Sequence, residues 1–291
     1  MLKIKDKSEF LSELVDWADH QDLVRVVLLT SSYAIADGPV DVFSDYDVIL
    51  VVKEIRYFYE NRTWLENFGR ILVMYRDPLE PKGGFLKFGN VTQYESGLKI
   101  DFTLWPVELL QKVVGDPSLP PEFDAGYRVL LDKDHLTKGL KPPAYRGYIP
   151  APPAEVEYHK AIEEFFLEAI YVAKYLWRED MMAGKFILDN FMKHEHLQPM
   201  LEWHMEIERH WSVKPGLYGR GLKKWLRPDL WAELMDTYTG AGLEENWAAL
   251  DKTVALMRKT AIEVGSRLGF DYPYDMDQGV MAYLQKVKNQ K

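Results

Sequence analysis

Two acids one residue apart, Asp45 and Asp47, follow a strand-like run that ends in Thr30-Ser31-Ser32-Tyr33. Side chains alternate along a strand, so both carboxylates are expected on one face. Two like charges held together are costly unless a cation neutralises them, and hard divalent ions such as Mg²⁺ take oxygen ligands of this kind. A third acid stands in Leu98-Lys99-Ile100-Asp101-Phe102-Thr103-Leu104-Trp105. Ile100, Phe102 and Leu104 share one face, which leaves Asp101 on the other with Thr103. Strands disfavour Asp, so its presence needs a reason. If this strand neighbours the Asp45–Asp47 strand, three carboxylates meet. Two-metal phosphoryl or nucleotidyl transfer has that requirement, because the ions clamp the attacking and leaving oxygens. On spacing alone, Asp45 and Asp47 could equally be strand-edge acids. An Asp101 paired with a buried Arg or Lys would look the same. Ser31 and Ser32 could cap the next segment or meet a phosphate.

The elements that must position these groups follow from periodicity. Phe10, Leu11, Leu14, Val15 and Trp17 recur at helical spacing. Residues 24–29, 46–53 and 70–75 read as strands, 57–68 as a helix and 78–84 as a loop. Gly38 and Pro39 mark a polar stretch between the first two strands. Residues 91–95 and 98–105 flank Ser96-Gly97 as a hairpin. A short helix over 107–113 and a last strand over 129–132 complete this part. Pro142, Pro143, Pro150, Pro152 and Pro153 then crowd a linker in which neither helix nor central strand should persist. Beyond it the apolar stripes are helical: Ile162, Phe166, Ala169, Ala173, Leu176, and later Val254, Met257, Ala261, Val264, Leu268. Residues 186–191 and 199–210 are also expected to be helical. The expected fold class is α+β, with a mixed-sheet domain over 1–145 followed by an all-helical bundle over 154–291.

The totals set limits. The chain has 291 residues, with 47% hydrophobic and 28% charged side chains, which suits a folded protein with a sizeable core. Its 36 basic and 45 acidic residues give a formal charge of -9, which counts against a nucleic-acid partner. Without cysteine, disulfides, thiolate metal sites and cysteine nucleophiles are excluded. The charged start, Met1-Leu2-Lys3-Ile4-Lys5-Asp6-Lys7, is unlike a secretory signal, and no run approaches the roughly 20 apolar residues that span a bilayer. A cytoplasmic location is the resulting expectation. The oligomeric state is not legible. His194 with His196, and His204 with His210, fall on different helix faces and are read as ordinary histidines rather than zinc ligands. The glycine-rich basic segment 216–224 departs from a phosphate loop, because Leu222 stands where the lysine belongs.

The arrangement resembles the nucleotidyltransferase fold of the DNA polymerase β superfamily: a Gly-Ser pair, a loop, Asp-x-Asp, and a third Asp on a later strand. More closely it is similar to the aminoglycoside 6-adenylyltransferases. The stretches that carry this are Phe43-Ser44-Asp45-Tyr46-Asp47-Val48, residues 98–104, Leu131-Asp132-Lys133-Asp134-His135-Leu136, Tyr171-Val172-Ala173-Lys174, Met200-Leu201-Glu202-Trp203, residues 219–226, and Leu268-Gly269-Phe270-Asp271-Tyr272-Pro273. The likeness covers nearly the whole chain. It departs at Ser31, where the family has Gly, and at Tyr33, where the family often has Arg.

The resemblance implies a mechanism and its participants. ATP would bind with Mg²⁺, its triphosphate near Ser31 and Ser32. Asp45 and Asp47 would hold the metal ions. Asp101 would complete a metal site or accept the proton of the attacking hydroxyl. Lys174 would reach the outer phosphates, although spacing alone reads it as a solvated lysine. The acceptor would be a streptomycin-like aminoglycoside, with AMP transferred to a hydroxyl and pyrophosphate released. Acids of the helical half, Glu202 and Glu206 among them, could face a polycation. Two alternatives stay open: another small hydroxylated acceptor, or a nucleotide-binding regulator with little turnover.

Overall fold

The computed structural model describes residues 7–35 and 40–290, so Gly38 and Pro39 of the polar stretch and the first six residues lie outside the described residues. The chain divides into two compact units, Met1–Tyr148 and Ile149–Lys291.

In the first unit, α1 (Lys7–Asp19) leads to β1 (Val24–Thr30), a single short turn α2 (Ser31–Ala34), and β2 (Tyr46–Val52). Next come α3 (Ile55–Glu60), a 3₁₀ segment (Thr63–Phe68), β3 (Ile71–Arg76), β4 (Glu80–Lys82), β5 (Phe85–Tyr94) and β6 (Lys99–Pro106). The unit continues with α4 (Val107–Gly115), α5 (Pro121–Asp124) and β7 (Tyr127–Asp132). The strands form one mixed sheet in the order β3-β5-β6-β2-β1-β7, with β4 paired to β5. Only β2 and β6 run parallel among these pairs.

Alternation divides the sheet's side chains between two apolar layers. Val27, Leu29, Val48, Leu50, Ile100, Phe102 and Leu104 pack on one face with Phe10, Leu14, Trp64 and Phe68. Val26, Leu28, Ile49, Val51 and Trp105 pack on the other with Leu110, Val113 and Phe123 from α4 and α5. Asp47 and Asp101 are on this second face by period, two residues before Ile49 and Thr103.

Two expectations are corrected. Residues 57–68 do not form one helix. The Asn61 Oδ1 accepts hydrogen bonds from the Thr63 N–H (3.1 Å) and hydroxyl (2.8 Å), which offers the backbone a turn in place of the helical ladder. The stretch 78–84 is not all loop, because Glu80, Pro81 and Lys82 pair with Lys87, Leu86 and Phe85. The proline-rich linker forms no helix or strand, as its composition requires.

The second unit is helical: α6 (Glu155–Trp177), α7 (Met181–Phe186), a π-helical stretch (Ile187–Leu197), α8 (Gln198–Glu208), a 3₁₀ turn (Leu217–Gly219), α9 (Leu222–Trp225), α10 (Pro228–Met235), α11 (Leu243–Leu268) and α12 (Tyr274–Lys288). Its start is capped by the Glu157 carboxylate, which accepts the Ala154 N–H at 2.7 Å. The apolar stripe predicted for α6 is buried against α11 through Val254, Met257, Ala261 and Val264. Helix α11 ends at Gly269 in the left-handed conformation (φ 80°) that glycine tolerates best.

Gly265 sits where α11 meets α6. A Cβ there would lie 2.6 Å from the Tyr158 hydroxyl and 2.8 Å from the Phe270 carbonyl oxygen. That hydroxyl donates to the Ala261 carbonyl at 2.8 Å. Alanine favours a helix interior over glycine by about 1 kcal/mol, but overpacking costs roughly 1–3 kcal/mol. Gly265→Ala should therefore lower the melting temperature; a rise would show that the helices separate freely.

Candidate active site

Strand β2 pairs antiparallel with β1, setting Thr30 opposite Asp47, and parallel with β6, setting Asp47 opposite Asp101. The end of β1, the start of β2 and the start of β6 thus meet on one sheet face. Asp45 lies one residue before β2 begins. The register brings together four of the residues singled out in the sequence: Ser31, Asp45, Asp47 and Asp101.

Asp47 is half-buried at this junction. Burial raises its pKa to about 6, and the negative charges of Asp101 and Asp45 act in the same direction. A hydrogen bond from Ser31 and the charge of Lys99 oppose the shift without cancelling it. The Thr30 hydroxyl also reaches the Asp47 carbonyl at 3.4 Å. Ser31 is exposed and its φ is 56°, in the left-handed region. A side chain there costs roughly 1–2 kcal/mol, which glycine avoids. The glycine expected from the resemblance is thus the residue this backbone suits. Ser32 follows half-buried in α2. Tyr33 turns away, stacking on Tyr46 with centroids 4.2 Å apart and planes 3° from parallel. Tyr46 faces the apolar layer around Phe10, opposite to Asp47.

Lys99 was not singled out in the sequence. It stands two residues before Asp101, so the two share a face. Its Nζ donates to Asp45 Oδ2 at 2.5 Å and to Asp101 Oδ2 at 3.1 Å. Burial pulls the Lys99 pKa down, but the two carboxylates outweigh it and the net shift is upward. The reading of Asp101 as an acid paired with a lysine therefore holds together with its convergence on Asp47. Asp101 Oδ1 is buried and has no well-aligned hydrogen bond, although Lys99 Nζ lies 3.0 Å away. Among the described residues no three acidic or imidazole groups close into a ready cation cage. Asp47 and Asp101 instead border one space, with the Lys99 ammonium bridging Asp101 to Asp45. The all-oxygen donor set, the buried Asp101 oxygen without an aligned partner and an already bound positive charge suit a hard divalent cation.

A cavity of about 340 Å³ adjoins these groups, lined by Thr30, Ser31, Asp47, Asp101 and Thr103 together with Lys87, Trp105, Glu122 and Tyr148. The Trp105 indole N–H is buried without an acceptor. Tyr148 is within electrostatic reach of Glu122 and Asp47. A larger hollow of about 520 Å³ shares Lys87, Trp105 and Glu122 but contains none of the three aspartates, so size alone does not mark the chemistry.

Lys174 belongs to the second unit, where its ammonium lies 5.9 Å from the Tyr171 ring centroid and 5.8 Å from that of Tyr283. In α8, Glu206 is fully buried and accepts the Val213 N–H at 3.3 Å, and Gln198 donates to Glu202 at 2.8 Å. Glu206 thus anchors the chain after α8. His204 pairs with Glu263 at 2.6 Å, as expected of a hydrogen-bonded histidine.

Residues 4–287 match the family model described as Streptomycin adenylyltransferase. The chain is 29% identical to an aminoglycoside 6-adenylyltransferase of Bacillus subtilis (strain 168), covering 98% of each chain. It is 25% identical to one of Campylobacter jejuni, covering 98% of this chain and 96% of the other. The crystal structure of an aminoglycoside 6-adenyltransferase from Bacillus subtilis is 27% identical, covers 99% of this chain and 100% of its own, and superposes with a TM-score of 0.49.

Two outcomes follow from the geometry of Asp47 and Ser31. The raised Asp47 pKa means that its charge costs the folded protein stability above about pH 6, and nothing below the unfolded value near 4. In EDTA, Asp47→Asn should therefore be more stable than the parent at pH 7.5, by about 2 kcal/mol, and equal to it below pH 4. Denaturation at both pH values checks this, and equal stability at pH 7.5 would contradict it. Ser31→Gly and Ser31→Ala both lose the hydroxyl, so their difference isolates the backbone. The glycine variant should be the more stable by about 1 kcal/mol.

Proposed function

Because the chain belongs to the streptomycin adenylyltransferase family, we propose that it transfers AMP from ATP to a hydroxyl of a streptomycin-like aminoglycoside, with Mg²⁺ required and pyrophosphate released. It is an enzyme of the adenylyltransferase type. The observation that carries the finer reading is the in-register pairing of Asp47 with Asp101 on one sheet face, with Asp45 tied to Asp101 through Lys99.

Asp45, Asp47 and Asp101 supply the oxygens for Mg²⁺, which when bound offsets charge on the phosphates. Ser31 and Ser32 are read as donors to the triphosphate. Asp101 takes the proton of the acceptor hydroxyl as that oxygen forms its bond to the α-phosphorus. The bond from that phosphorus to the bridging oxygen breaks in line, and its electron pair leaves with pyrophosphate. Lys174 is kept as a proposed partner of the outer phosphates, and the first unit is taken as the one that carries the transfer. The acid excess of the chain suits a cationic acceptor. A cytoplasmic location fits an ATP-dependent reaction. No described helix is long and apolar enough to cross a membrane.

Purified protein with ATP, Mg²⁺ and streptomycin should release pyrophosphate and add the mass of an adenylyl group to the acceptor. Asp101→Asn should lower kcat at least about 100-fold, the range of a lost proton acceptor, and Asp47→Asn should abolish turnover. Release with other hydroxylated amines but not streptomycin would move the acceptor and keep the chemistry. ATP binding without release for any acceptor would overturn the proposal in favour of a regulator.

A further inference from the structure

Two carboxylates, Asp47 and Asp101, line the cavity, and the Lys99 ammonium ties Asp101 to a third, Asp45. Lys99 is the only one of these four groups that carries positive charge, and its Nζ touches both Asp45 and Asp101. Its side chain is 28% exposed, so the ammonium is held by the two carboxylates and not by bulk water. The oxygens it engages belong to the set read above as ligands for a divalent cation. An ammonium and a divalent cation cannot both take these oxygens at contact distance without strong mutual repulsion.

We propose that Lys99 is the resident counter-ion of this site, a positioning residue that makes cation binding conditional on the nucleotide. While no divalent cation is bound, its ammonium neutralises Asp45 and Asp101 and keeps them apart from open repulsion. When a cation binds, Lys99 has to release both carboxylates. Its flexible four-carbon stem lets the charge swing as a unit, and a released ammonium needs another anion. A triphosphate in the adjoining cavity provides one. Cation affinity is therefore low for the nucleotide-free protein and rises when the triphosphate takes over the ammonium. By thermodynamic reciprocity, the cation raises nucleotide affinity by the same factor. This inference rests on the metal-ligand reading of the three aspartates, and it goes further by giving Lys99 an opposing role toward the cation and a favourable one toward the nucleotide.

Mn²⁺ binding followed by electron paramagnetic resonance tests this without turnover, alone and with the α,β-methylene analogue of ATP, which cannot transfer its α-phosphorus. In the parent protein the analogue should tighten Mn²⁺ binding at least 10-fold. Lys99→Met should bind Mn²⁺ about 10-fold tighter than the parent without nucleotide, and the effect of the analogue should shrink. The KM for ATP should rise severalfold in the same variant. A merely structural lysine would not move the two affinities in opposite directions. Lys99→Gln should repeat the pattern with a polar side chain, and Lys99→Arg should stay close to the parent, with melting curves confirming that each variant folds. Unchanged or weaker Mn²⁺ binding in the folded neutral variants would overturn the role of Lys99 alone. No Mn²⁺ binding by the parent protein, even with the analogue, would overturn the metal reading on which that role stands.

Discussion

Mutual repulsion between aspartates forced onto one sheet face is the constraint that organises the first unit. The parallel pairing of β2 with β6 sets Asp47 beside Asp101, and the approach to β2 delivers Asp45 to the same neighbourhood. An isolated domain would gain nothing from this. Asp47 loses hydration, and the charges of Asp101 and Asp45 raise the cost of ionising it. The fold sustains the arrangement because both faces of the sheet are buried in apolar layers, which hold the register rigid. Ser31 and Lys99 then compensate locally, one with a hydrogen bond and one with a charge. Stability of this kind is spent on preorganisation, since the oxygens stand near one another before any ligand arrives.

The two departures from the family pattern have different physical characters. At residue 31 the backbone keeps the left-handed conformation that suits glycine, so the serine carries conformational strain but gains a hydrogen bond to Asp47. At residue 33 the side chain is directed away from the carboxylates, into a parallel stack with Tyr46 that joins the apolar layer. The aromatic ring secures the short turn between β1 and β2. The basic groups beside the carboxylates are Lys87, which lines the cavity, and Lys99, which touches Asp45 and Asp101.

Much of this was legible in the sequence, and what was not has identifiable causes. Asp47 and Asp101 could be found because each interrupts an otherwise apolar strand, and alternation fixes the face on which they appear. The two-part organisation showed in the prolines between residues 142 and 153 and in the change of period after them. Lys99 escaped notice because a lysine opening a strand usually points into water; only the neighbouring strand reveals that it is shared. Its spacing of two from Asp101 was the available signal. Lys87, Trp105, Glu122 and Tyr148 come together through strand order and the return of the chain, which no local pattern encodes. The helix expected over 57–68 was lost to one asparagine side chain, because Asn61 competes for backbone donors. Strand β4 was hidden by its Pro81, a residue that sheets accept at edges.

The ladder between β1, β2 and β6 also sets where this chain can tolerate changes in length. Slipping β2 by one position would turn Asp47 into the apolar layer and present Val48 to the cavity, inverting every contact on both faces. A single inserted or deleted codon within β2 would thus remove the reactive groups and the core at once. Residues 40–44, the described residues just ahead of Asp45, have no strand partner and can absorb such changes. Natural variants of different length are accordingly expected to differ ahead of the acidic pair, and to keep the count of residues from Asp47 to Val52 unchanged.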